Sequence, residues 1–148
     1  MANIINWATG ATSRGTVLGT HLNSLANGAQ TVAGAEVDNS TNLDQYGILE
    51  LNVTFGTAPT VGNTCDVYMV KALDGTNYED GSSTALPSGA CLVGAIDMLA
   101  GTAAMRRTSG IFTVPPTKIK FLLKNNSGQA FPGSNSTVLF YTFNDEIQ

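Results

Sequence analysis

A chain of 148 residues with seven Lys or Arg against eleven Asp or Glu, net charge -4, is long enough for one domain core. It offers too few clustered cations to hold a phosphate backbone. Only 12% of its residues are charged and 43% are hydrophobic, which excludes intrinsic disorder. No run reaches the roughly 18 apolar residues of a membrane helix. The start of the chain lacks the basic-then-apolar pattern of a secretory signal, so synthesis in a cytoplasm is expected.

In chain order, residues 1–14 read as an extended N-terminal arm. Ile4, Ile5 and Trp7 are large and apolar but lack an alternating pattern around them, and a Gly/Ser/Thr/Ala stretch follows. Two readings stay open: Trp7 folds back over its own domain, or the arm reaches a neighbouring subunit, where an aromatic anchor makes a natural hot spot. Residues 15–148 form the single domain. Residues 15–22 and 31–37 are weak strand candidates. Between them, residues 21–29 hold at most one helical turn, because Gly28 and the polar residues oppose a longer one.

The strongest signals are period-2 alternations. In residues 48–55, Leu49, Leu51, Val53 and Phe55 share one side and Ile48, Glu50, Asn52 and Thr54 the other, which predicts one buried face. Residues 65–73 are apolar on both sides, as expected of a central strand. Residues 92–98 and 110–114 are weaker candidates. Residues 118–125 set Ile119, Phe121 and Leu123 against Lys118, Lys120, Leu122 and Lys124, and residues 138–143 supply a last strand. Turn-formers separate these runs, among them Asp74-Gly75, Pro115-Pro116 and Pro132-Gly133. About eight short strands with Gly/Pro turns predict an all-β fold, an antiparallel β-sandwich or jelly roll.

Residues able to do chemistry are scarce. His21 is the only histidine, and no Gly-x-Ser-x-Gly elbow accompanies the strands, so no catalytic residue is assigned. Neither a phosphate loop nor a zinc pattern is present, and no cofactor or metal is expected. Cys65 and Cys91 read as reduced thiols, at least one of them in the core. The loop of residues 74–81 gathers Asp74, Asn77, Glu79 and Asp80, but its spacing departs from a calcium loop. It reads as a tight Asp-Gly turn with a solvated acidic lip, with Tyr78 free to pack on a sheet edge. Asp145-Glu146 reads as a solvated end, Arg106-Arg107 as a pair meeting carboxylates or solvent, and the four Asn-x-Ser/Thr matches as chance.

Several stretches resemble the small all-β structural proteins of tailed-bacteriophage virions, most of all head decoration (auxiliary capsid or cement) proteins. They are Asn-Ser-Leu-Ala-Asn-Gly at 23–28, Val-Asp-Asn-Ser-Thr-Asn-Leu at 37–43 and Lys-Ala-Leu-Asp-Gly-Thr-Asn-Tyr at 71–78. Val-Pro-Pro at 114–116 leading into Lys-Ile-Lys-Phe at 118–121, and Lys-Asn-Asn-Ser-Gly at 124–128, complete the set. The resemblance implies a non-enzymatic protein on the outer capsid surface, partnered by the major capsid protein and by itself as a homotrimer, with no nucleic-acid or membrane partner. Ile4, Ile5 and Trp7 in the arm and Asp74, Asn77 and Tyr78 in the loop are then the candidate partner-binding residues. The alternative is a carbohydrate- or receptor-binding module of a tail or head fibre.

Overall fold

Alternation in the sequence becomes alternation in burial. In the computed structural model, which describes residues 5–7 and 11–147, strand β4 (Tyr46–Val53) buries every second residue, including Leu49, Leu51 and Val53. The remaining strands, in chain order, are β1 (Ile5–Trp7), β2 (Thr12–Leu18), β3 (Val37–Asp38), β5 (Thr64–Ala72), β6 (Leu92–Asp97) and β7 (Met105–Thr108). They continue with β8 (Phe112–Thr113), β9 (Lys118–Asn126), β10 (Thr137–Phe143) and β11 (Asp145–Ile147). Among the described residues, helix is confined to the four-residue α1 (Asn39–Asn42) and two 3₁₀ turns, Thr20–Leu22 and Gly89–Cys91.

All pairings between these strands are antiparallel. One sheet runs β2-β10-β4-β7, with β8 also on β4, and a second runs β3-β9-β5-β6. Their buried faces feed one core: Leu49, Leu51, Val138 and Phe140 from the first sheet meet Val67, Ile119, Phe121 and Leu123 from the second. Phe121 and Phe140 bridge the layers with ring centroids 5.0 Å apart.

There are more strands than the eight expected. β1, β3, β7 and β11 are two to four residues long, too short for a period to show in the sequence. Residues 5–7, expected to lack strand company, pair with Asp145–Ile147 in a separate two-stranded ribbon, so the 145–146 end is also a strand. β2 begins at Thr12, inside the span assigned to the arm, and the expected strand over 15–22 gives way to a 3₁₀ turn at Thr20.

Residues 31–36 are not a strand of either sheet, yet they close one narrow side between the layers. Thr31 N and Gly34 N donate to the carbonyls of Leu123 and Phe121 on β9, and Ala35 N donates to Val17 O on β2. A Cβ at Gly34 would lie 2.1 Å from Val17 O, so only glycine permits this approach.

β5 is central, between β9 and β6, and its outer face explains its apolar character. Tyr68, Val70 and Leu122 form a second, smaller core there with Cys91, Ala33 and Tyr78. The long connection of residues 73–91 folds back to cover them. Gln30 bonds Ser82 O and Glu79 N bonds Lys71 O, which fastens the cover to the body.

Candidate interaction surface

The sequence placed its candidates in the arm and in the 74–81 loop. Ile4 lies outside the described residues, and Ile5 and Trp7 are placed in β1 beside β11. In the loop, Gly75 takes the positive φ of 78° that the turn requires. Asp74 accepts from Thr76 N (2.9 Å), Asn77 N (2.7 Å) and Asn77 Nδ2 (2.7 Å). The bonds from Asn77 and Thr76 stabilise the carboxylate and bring the Asp74 pKa down to about 2. Asp74 and Asn77 are therefore brought together, but each is spent on the other.

Tyr78 packs against the outer face of the second sheet and not against its edge. Its hydroxyl donates to Glu36 Oε2 at 2.5 Å, and Lys120 Nζ sits 4.2 Å above its ring. Burial first, and the Glu36 carboxylate second, raise the Tyr78 pKa above its ordinary value.

Three further basic side chains are committed in the same way. Arg14 bonds Asp44 and Thr142, Arg106 grips both oxygens of Glu50 at 2.8 and 2.9 Å, and Lys118 pairs with Glu36 at 3.2 Å. Cys65 is fully buried and its thiol pKa is pushed up to about 12, mainly by loss of water. Burial also raises the Cys91 pKa, helped by Glu79, whose carboxylate lies 3.5 Å from Sγ. His21 sits half-buried in the first 3₁₀ turn, with Nδ1 unpartnered. Among the described residues no three His, Cys, Asp or Glu side chains are grouped to hold a metal.

The structure adds a surface that the sequence reading missed. β6 and β7 are edge strands of their sheets, and they meet on one narrow side: a Cβ at Gly94 would lie 3.4 Å from Ser109 Cβ. Large apolar side chains stay exposed along this side, at Leu92, Leu99 and Ile111. The connection from β6 to β7 forms a groove of about 300 Å³ lined by Leu99, Ala103, Ala104, Met105, Arg106 and Arg107. Arg107 Nε bonds the carbonyl of Asp97, and no carboxylate pairs with it among the described residues. Its sequence signal was present: the charge-free run Leu-Ala-Gly-Thr-Ala-Ala at 99–104 leads straight into the only adjacent Arg pair.

A second concavity lies elsewhere, between the Thr20–Leu22 turn and the start of β10. Its lining is uncharged: Gly19, Thr20, Asn23, Ser134, Asn135, Ser136 and Thr137. Comparison with family models, with curated proteins and with solved structures finds no match.

Proposed function

We propose that this chain is a non-enzymatic structural protein of a phage virion, a decoration or cement protein that binds the outer surface of the capsid shell and stabilises it. The proposed body is a two-layer sandwich of jelly-roll type, accompanied by the ribbon that pairs residues 5–7 with 145–147. Its partners are the major capsid protein and further copies of itself in a homotrimer, and it is made in the host cytoplasm before joining the virion.

One observation carries the reading. Several charged side chains, Arg14 with Asp44, Arg106 with Glu50 and Lys118 with Glu36, are tied to one another, while apolar side chains stay exposed along the β6–β7 side. Such a molecule is suited to adhering. Contacts repeated over a lattice turn weak individual binding into lasting attachment. Negative-stain images of shells prepared with and without the protein test this: added density on the outer surface is expected, and bare shells at saturating protein would overturn it.

The uncharged concavity favours a second reading, a glycan-binding module of a fibre. Hydroxyl and amide side chains there are the groups that recognise neutral sugars. A glycan array separates the two, because only the second reading expects retention on it.

A further inference from the structure

We infer that copies of this chain associate head to tail, with the α1 corner of one copy seated in the Leu99–Arg107 groove of the next. The inference rests on the self-association in the reading above and names the surfaces that would carry it.

The groove lining is mostly apolar and carries one cation without a carboxylate partner among the described residues, Arg107, since Arg106 is held by Glu50, in a chain whose net charge is -4. Its complement has a protruding apolar side chain beside a carboxylate, and the α1 corner supplies both. Leu43 ends α1 with φ 54° and ψ 36°, a left-handed conformation that a branched side chain adopts only at a cost, and it is 58% exposed. More than half of that leucine stays exposed. Asparagine or glycine would fill the position with less strain. Five residues back, Asp38 is exposed, and its carboxylate accepts from Ser40 N and Oγ, while the nearby Lys118 pairs with Glu36.

Position makes the contact heterologous. β3 and β6 are opposite edges of one sheet. Asp38 pairs with Lys118 at one end of β9, whereas Asp97, which leads into the groove, aligns through Thr64 with Asn126 at the other end. Knob and groove thus lie at diagonal corners and cannot meet within one molecule. Two different patches joined in this way build rings or chains. Opposite charges on the two patches set the register.

The test is sedimentation of the full chain over rising concentration, with Arg107→Glu and Leu43→Asn as variants. Leu43→Asn removes the knob while suiting the left-handed backbone, so its melting temperature should not fall. Wild-type protein is expected to associate, each variant to weaken association about tenfold or more, and a mixture of the two to form heterodimers. In that mixture the sound groove of Leu43→Asn receives the sound knob of Arg107→Glu. Association unmoved by either variant, or not restored by mixing, overturns the inference, as does a wild-type monomer at all concentrations. If that monomer still coats shells, the capsid reading stands without this interface. Wild-type protein that leaves shells bare overturns the capsid reading whatever its mass in solution.

Discussion

The Tyr78 hydroxyl donates to Glu36 Oε2 at 2.5 Å, and this bond pins the 73–91 cover to the segment before β3. The bond from Tyr78 holds the Glu36 pKa below its ordinary 4.5, with Lys118 adding to the effect. A carboxylate with a depressed folded pKa contributes stability that is present above its unfolded value and lost as pH falls through the folded one. Amide exchange in residues 79–91 should therefore accelerate below about pH 4.5 relative to the strands. Glu36→Gln should flatten that acid dependence; an unchanged profile in the variant would place the acid-sensitive group elsewhere.

Phe121 and Phe140 close the core between the layers, and both are fully buried. Either one changed to Ala should lose about 3–5 kcal/mol in denaturant unfolding. Because the rings touch, the double variant should fall short of the sum by about 0.5–1.5 kcal/mol.

Asn125 is fully buried, and its amide ties its own 125–129 turn to Leu25. Nδ2 donates to Leu25 O (3.0 Å) and Gln129 O (2.8 Å), and Oδ1 accepts from Ser127 N and Oγ. Asn125→Leu keeps the branched heavy-atom shape but strands these groups, so a loss of about 3 kcal/mol is expected. A loss no greater than that of an exposed Asn substitution would show that the bonds contribute little.

Gly34 and Gly56 make a matched pair. At Gly56 a Cβ meets nothing within 4 Å, whereas at Gly34 it meets Val17 O and the Leu18 side chain. Gly34→Ala should destabilise by about 2 kcal/mol or more, while Gly56→Ala should be neutral or slightly stabilising. Thermal melts of the two variants provide the comparison.

Cys65 and Cys91 should resist alkylation at neutral pH in the folded protein and react fully in denaturant. Burial disfavours the thiolate at both sites, most strongly at Cys65, where the pKa reaches about 12. Fast labelling of either thiol would show that the 73–91 cover or the core opens readily.

The long strands were legible because burying one face writes a period of two into the chain. Leu49, Leu51 and Val53 carry that period on β4, and Ile119, Phe121 and Leu123 carry it on β9. The two-sided apolar pattern of β5 announced a central strand for the same reason. Asp74-Gly75 announced its turn through local chemistry, a carboxylate bonding the next amides and a residue without Cβ.

Tertiary structure alone decided the rest. Pairing of Ile5–Trp7 with Asp145–Ile147 joins residues about 140 apart, and no local pattern encodes such a partner. That Tyr78 lies over Lys120 and not at a sheet edge depended on where a long connection folds back, which its polar composition leaves open. The Leu99–Arg107 groove and the Leu43 corner came into view only with the strand order. An exposed leucine and a buried one read alike in sequence, and burial is set by what the rest of the chain brings against them.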